Sequence, residues 1–268
     1  KKKYSYIFFD CSSLSILKEY TGIESILNKY LRNVKSRIIQ LDALKNESVK
    51  INPNLIYKKI IPYLNNTKKK LSGRDFVLID SKYSKIKKNI FKKKLKIVVT
   101  FGSTDYTMTN KILNFFLKFH EELKKKIEVK IVVGQYCSNN IKTKLKKQIS
   151  LLDQNNIKFV INKKDLVNIF KWSNVIFTND GLTKYEALLS GRYTFVLRSK
   201  TNNNIHSNQL KKLKLAKFID LKIDKNDSLI IESEIKKILD NKKLLNIGDL
   251  TRKYFSKNNI LNYYKLIT

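Results

Sequence analysis

Asn179-Asp180-Gly181-Leu182-Thr183-Lys184-Tyr185-Glu186 is the stretch of this sequence whose residue types and spacing could do chemistry. It follows the β-branched and aromatic run Asn174-Val175-Ile176-Phe177-Thr178 and leads into Ala187-Leu188-Leu189-Ser190-Gly191. The pattern reads as a strand, a glycine turn and a helix from 182 to 189 closed by Gly191. The first N–H groups of such a helix have no partner within it, and they attract phosphate oxygens together with the positive end of the helix. Gly181 lets an anion approach the backbone, and the Thr183 hydroxyl can donate to it. Glu186 lies about one helical turn further along the same face, where a carboxylate can accept both hydroxyls of a ribose. The same spacing also fits a capping box, in which Thr183 and Glu186 only stabilise the helix.

A turn of this kind needs a sheet to hold it, and the pattern from residue 95 onward supplies one. Lys96-Ile97-Val98-Val99-Thr100-Phe101 predicts a strand running into the loop Gly102-Ser103-Thr104-Asp105. Ile112, Phe116, Phe119, Leu123 and Ile127 recur at helical spacing. Strands are further predicted at 129–133, 157–161, 174–178, 193–197 and 218–221. Ile141, Leu145, Ile149 and Leu152 mark a helix, and Asp165 can cap a short one through Phe170. Strands alternating with helices imply a parallel sheet covered on both faces. Ligands in such folds sit beyond the carboxyl ends of the strands, which here means the loops at 102–105, 134–138, 179–183 and 198–206. His206 in the last of these reads as a solvated side chain, and Trp172, Phe115, Phe116 and Phe119 read as core.

The first 92 residues are sparser. Strands are expected at 6–9, 37–41 and 73–79, with a helix at about 23–31 and turns at Asn52-Pro53-Asn54 and 65–70. The Lys-, Ile- and Asn-rich stretch 84–94 reads as a linker. The expected organisation is α/β with two Rossmann-like lobes: an incomplete N-terminal lobe at 1–92, a ligand-binding lobe at 93–240 and a helical segment at 241–268.

The formal charge of +34 invites a nucleic-acid reading. Only six of the 56 basic residues are Arg, the side chain suited to bidentate phosphate and base recognition, and the lysines are scattered along the whole chain. Compositional bias is the preferred explanation, no specific nucleic-acid partner is expected, and peripheral membrane contact through the basic surface is kept as a secondary use. No run of eighteen apolar residues is present. Cys11 and Cys137 lack ligand spacing, and His120 and His206 are far apart, so unpaired thiols, a cytoplasmic location and no metal or cofactor are expected. No residue pattern fixes an oligomeric state.

The order of these motifs resembles the donor-binding half of GT-B-type proteins with a glycosyltransferase family 28 C-terminal domain. Within that group it is most similar to the UDP-sugar hydrolases of pseudaminic acid biosynthesis and their spore-coat polysaccharide relatives. The family's glycine-serine loop is similar to Phe101-Gly102-Ser103-Thr104-Asp105. Its helix-strand-turn segment is similar to Asp165-Leu166-Val167-Asn168-Ile169-Phe170 through Gly181, and its turn, aromatic and Glu to Gly181-Leu182-Thr183-Lys184-Tyr185-Glu186. Its Asn-Gln pair is similar to Asn208-Gln209. In the N-terminal part, Phe8-Phe9-Asp10, Ile39-Gln40-Leu41-Asp42, Ile51-Asn52-Pro53-Asn54-Leu55 and Ser72-Gly73-Arg74-Asp75-Phe76-Val77-Leu78 resemble further family segments, so the likeness spans nearly the whole chain.

The resemblance implies a UDP-sugar partner. Glu186 would hold the uridine ribose, Gly181, Leu182 and Thr183 the diphosphate, and Gly102 and Ser103 the phosphate or sugar, with Asn208 and Gln209 nearby and Asp10 as an N-lobe site residue. It implies hydrolysis of UDP from a 2,4-diacetamido-trideoxyhexose by water, without metal. The alternatives are a GT-B glycosyltransferase for a surface polysaccharide and a donor-binding subunit without chemistry. Three departures stand out. The family's Gly-x-Gly-His-x-x-Arg loop, whose His activates water, has no counterpart here, which leaves the catalytic residues unassigned and implies a missing first strand-helix-strand stretch. Cys11-Ser12 replaces the family's Ser-Tyr. Asp180-Gly181 stands for Gly-Gly, and Gly191-Arg192-Tyr193 for Gly-x-Pro.

Overall fold

A computed structural model describes residues 5–10, 23–41, 51–60, 71, 74–87, 91, 93–101, 106–134, 137–150, 156–162, 165–199, 205–221, 225–255 and 259–268. The chain forms two compact units, residues 1–78 with 255–268 and residues 79–254, whereas the sequence pattern places boundaries at 92 and 240.

In the first unit β1 (Tyr6–Asp10) pairs in parallel with β2 (Arg37–Leu41), which pairs in parallel with β3 (Lys58–Ile60). Helix α1 (Ile23–Arg32) joins the first two strands. Alternation along β2 sends Ile38 to a cluster with Leu31 and Ile51, and Ile39 to one with Ile60 and Tyr263. Tyr263 belongs to a C-terminal helix (Asn259–Tyr264), so the end of the chain completes this small core. Residues 74–76 form a 3-10 turn, not the strand expected at 73–79. The Asp75 carbonyl accepts from Asn262 Nδ2 at 2.8 Å and the Phe76 carbonyl from the Tyr263 hydroxyl at 2.6 Å, so these carbonyls bond to the C-terminal helix and not to a sheet ladder.

The second unit contains β4 (Leu95–Thr100), β5 (Ile127–Gly134), β6 (Ile157–Asn162), β7 (Val175–Asn179), β8 (Tyr193–Ser199) and β9 (Lys217–Leu221). All are parallel, in the order β6-β5-β4-β7-β8-β9. The chain winds outward from β4 in one direction and then from β7 in the other, the doubly wound Rossmann-like topology. Near-continuous apolar runs such as Val175, Ile176 and Phe177, each fully buried, suit strands covered on both faces.

The intervening helices are α2 (Tyr106–Leu117), α3 (Glu121–Lys126), α4 (Asn139–Ser150), α5 (Val167–Trp172), α6 (Thr183–Leu189), α7 (Ile205–Lys212), α8 (Lys225–Asp240) and α9 (Ile247–Tyr254). The apolar repeat from Ile112 to Ile127 covers two helices and the first residue of β5. The chain turns at 118–120 so that Phe119 packs edge-on against Phe115 with ring centroids 4.4 Å apart, beside Phe116, which meets Phe177 at 5.7 Å. Among the described residues no helix is long and apolar enough to cross a membrane, and no cluster of residues suited to a metal ion occurs.

Candidate functional site

The strand order reverses between β4 and β7, the point in open α/β sheets beyond whose carboxyl ends ligands bind. Asn179, the last residue of β7, lies at that point. Its side-chain Nδ2 donates to the Phe101 carbonyl at 3.1 Å, tying the end of β7 to the residue after β4. Its Oδ1 accepts from the Gly181 N–H at 3.3 Å and shapes the turn into α6. A Cβ on Gly181 would come within 3.0 Å of that oxygen, so a larger residue would push the Asn179 amide out of place.

Helix α6 starts without a side-chain cap, so the Thr183–Glu186 capping box is not formed. Leu182 and Thr183, at its first turn, carry N–H groups that helix geometry leaves without an intrahelical acceptor, and Leu182 is exposed. Asp180 turns inward. Lys184 Nζ donates to its Oδ1 at 2.6 Å and to its backbone carbonyl at 3.0 Å, and the buried Ser207 hydroxyl donates to the same Oδ1. Side-chain exposures of 5% for Asp180 and 1% for Lys184 make this an ion pair closed inside the protein. Desolvation pulls the Lys184 ammonium below its ordinary pKa, against the opposing pull of Asp180.

Glu186 meets different company. Burial raises its carboxyl above the ordinary range, nearby Asp165 and Asp80 add to the rise, and the Tyr83 hydroxyl opposes it. Tyr83 stands on a 3-10 turn (Ser81–Lys85), is buried, and packs on Phe170 with centroids 5.7 Å apart. Its hydroxyl also accepts the Leu166 N–H at 3.3 Å. Asp165 caps α5 by accepting the Val167 N–H at 3.1 Å.

Two arginines hold the back of this assembly, and the sequence pattern does not mark them. Arg192 donates to the carbonyls of Phe170 at 2.8 Å, Lys87 at 3.0 Å and Lys171 at 3.2 Å. Burial, with the neighbouring Arg252 guanidinium, pushes its pKa down to about 10. Arg252, from α9, bonds to the Ile86 carbonyl and to the Ser190 carbonyl at 2.9 Å. Gly191 adopts φ +71°, and a Cβ on Gly248 would lie 2.1 Å from the Gly191 carbonyl oxygen, so α9 can approach this corner only with glycine at 248. Together these contacts fix the segment 81–87, and with it Tyr83, against α5 and α6.

Asn208 and Gln209 lie on α7, as the sequence places them. Asn208 is exposed, and its Oδ1 accepts from Arg198 Nη1 at 3.4 Å. Arg198 otherwise makes a bidentate pair with Asp220 at 2.6 and 2.9 Å, which holds that carboxyl below its usual range. Gly102 and Ser103 lie outside the described residues, as do the side chains of Asp10 and His206 and all of Cys11, while Cys137 is a free thiol. The site residues that the structure brings together are thus Gly181, Leu182, Thr183 and Glu186, on one turn and helix. Trp172 is half-buried with Lys130 Nζ 3.9 Å and Lys96 Nζ 5.6 Å from its ring centroid.

Solved structures share this architecture over most of the chain. The fold is GT-B-like. WaaG, a glycosyltransferase involved in lipopolysaccharide biosynthesis, matches 93% of this chain and 70% of its own with a TM-score of 0.53 at 12% identity. HepE from Anabaena, in complex with UDP and glucose, matches 97% of this chain and 71% of its own with a TM-score of 0.56 at 12% identity. MurG from Acinetobacter baumannii matches 88% and 68% with a TM-score of 0.59 at 14% identity. No protein-family model matches the sequence, and no curated protein does. At these identities the likeness is one of fold.

Proposed function

We propose that this chain binds a UDP-sugar at the carboxyl edge of its six-stranded sheet and serves as the donor-binding part of a GT-B glycosyltransferase for a cell-surface polysaccharide. The observation that carries this reading is the position of the 179–186 turn at the reversal of strand order, with Glu186 one helical turn beyond Gly181. The N–H groups of Leu182 and Thr183 and the Thr183 hydroxyl would meet the diphosphate. Withdrawal of Asp180 into its pair with Lys184 removes the charge that would repel it. Glu186 would accept the two ribose hydroxyls, and no metal is required for that contact.

HepE, of similar fold, is solved with UDP and glucose, and WaaG and MurG share the architecture, which supports a transferase over a hydrolase. The reading is tested by calorimetric titration with UDP, 2′-deoxy-UDP and ADP. UDP is expected to bind, 2′-deoxy-UDP roughly tenfold or more weakly, as a charged hydrogen bond is lost, and Glu186→Gln should abolish the difference. Equal affinity for UDP and 2′-deoxy-UDP in the native chain would remove Glu186 from the nucleoside site. Incubation with UDP-sugars separates the chemistries: release of free sugar without an acceptor would identify a hydrolase.

A further inference from the structure

A cavity of about 440 Å³ lies in the second unit, within the size range of small-molecule sites. Tyr193 and Lys217, the first residues of β8 and β9, line it at the amino-terminal edge of the sheet. The 179–186 turn follows the carboxyl end of β7, on the opposite edge. The apolar lining comes from Leu215, Ala216 and Phe218, all buried, and from Ile247 at the start of α9. Helix α9 is pinned in place, since the Thr251 hydroxyl donates to the Leu188 carbonyl at 2.7 Å and no β-carbon fits at Gly248. Lys211, Lys214 and Lys217 share the lining with one acid, Glu234. Glu234 is already committed: its Oε1 accepts from Lys217 Nζ and from Lys237 Nζ, each at 3.0 Å. Lys211 and Lys214 are exposed and form no ion pair among the described residues. The cavity therefore joins uncompensated positive charge to an apolar surface.

The backbone at Lys214 points to the same place. Among the described residues it is the one non-glycine with a positive φ, +54°. It closes α7: the Lys214 N–H donates to the Lys211 carbonyl and the Leu215 N–H to the Leu210 carbonyl, both at 3.0 Å. Glycine is the usual residue at this left-handed position, because a β-carbon there crowds the following carbonyl. Strained positions of this kind concentrate at ligand sites, and this one puts an ammonium group on the cavity wall.

We propose that this cavity binds a phosphate monoester with an apolar or aromatic body: Leu215, Phe218 and Ile247 take the body, and Lys211 and Lys214 take the phosphate. The charge of a phosphate dianion matches the two ammonium groups, and lysine suits phosphate as a point charge. The site is separate from the nucleoside site and does not rest on that reading.

The experiment is NMR titration of phenyl phosphate, inorganic phosphate and benzyl alcohol into the native chain, Lys214→Gly, Lys211→Ala and Lys144→Ala. Lys144 is exposed on α4, outside the cavity lining, and serves as the control. Phenyl phosphate should bind roughly tenfold more tightly than either fragment, with nuclear Overhauser contacts from its ring to the Leu215 and Ile247 methyl groups. Lys214→Gly and Lys211→Ala should each weaken it about tenfold, the loss of one contact between charged groups, and Lys144→Ala should leave it unchanged. The melting temperature of Lys214→Gly should hold or rise, because glycine relieves the left-handed backbone, a combination that a purely structural lysine would not give. Vesicles of phosphatidylcholine with phosphatidic acid present the same monoester at a bilayer. Cosedimentation with them that depends on Lys214, without binding of phenyl phosphate, assigns the occupant to a lipid headgroup. Failure of both phenyl phosphate and the vesicles to depend on Lys214 overturns the site. Binding that Lys144→Ala weakens as much as Lys214→Gly does also overturns it, and leaves only the general attraction of a chain of charge +34 for anions.

Discussion

Asp180 and Glu186 flank the same turn and are handled in opposite ways. Asp180 is enclosed with a lysine one turn later and a serine from α7, so its charge is neutralised inside the protein. Glu186 faces a phenol, two aspartates and partial solvent, and its carboxyl is raised. A buried acid with a cationic partner is a structural tie, and an acid with a neutral partner keeps acceptor capacity for an incoming hydroxyl pair. Each of the following results bears on that contrast.

The largest effect should come from breaking the closed pair. Asp180→Ala strands a buried ammonium, and removing one partner of such a pair typically costs about 3–5 kcal/mol, measurable by urea unfolding. The double variant Asp180→Leu with Lys184→Met should recover much of that loss. A single-variant loss below about 1 kcal/mol, the range of exposed pairs, would mean that Asp180 is not enclosed.

Glu186→Gln should behave in the reverse manner, with UDP affinity falling by roughly ten- to a hundredfold, in line with charged hydrogen bonds of about 1.5–3 kcal/mol. Thermal stability should hold or rise. The sign follows from linkage. The folded-state pKa of Glu186 lies above its unfolded value, so the stability associated with the protonated form is fully present below the ordinary carboxylate value and is lost as pH rises through the raised one. The native chain should therefore lose a little stability across that window, and Glu186→Gln should lack that contribution. A large drop in melting temperature for Glu186→Gln would assign this residue to the structure.

The smallest effect concerns the turn itself. Gly181→Ala meets only the Asn179 side chain, so it should leave stability within about 1 kcal/mol while weakening UDP binding through displacement of the Asn179 amide. Unchanged UDP affinity would separate the turn from the diphosphate.

Much of the second unit was legible in the sequence because parallel strands covered on both faces are written as short β-branched runs. Val98-Val99 and Val175-Ile176-Phe177 allow little else, and the Gly191 stop after α6 followed directly. Strand β3 was not legible: Lys58-Lys59-Ile60 lacks an apolar run, and its buried side chain, Ile60, shares a core with Ile39 and with Tyr263 from the far end of the chain. The candidate turn could be read locally, since strand, glycine, helix and acid lie within eight residues. Its surroundings could not. Arg192 and Arg252 bind backbone carbonyls, which have no sequence signature, and Tyr83, which packs on Phe170, lies far from it in the chain. At least five of the six arginines make contacts within the chain: Arg37 with Tyr6, Arg74 with Asp75, Arg198 with Asp220, and Arg192 and Arg252 with backbone carbonyls.

The central claim is a uridine nucleotide pocket at the carboxyl edge of β7. Calorimetric titration of UDP into the native chain and into Glu186→Gln tests it most directly. The account predicts one UDP per chain, with affinity sharply reduced in the variant and a melting temperature that holds or rises. Absence of binding to the native chain, or equal binding to both, would contradict it.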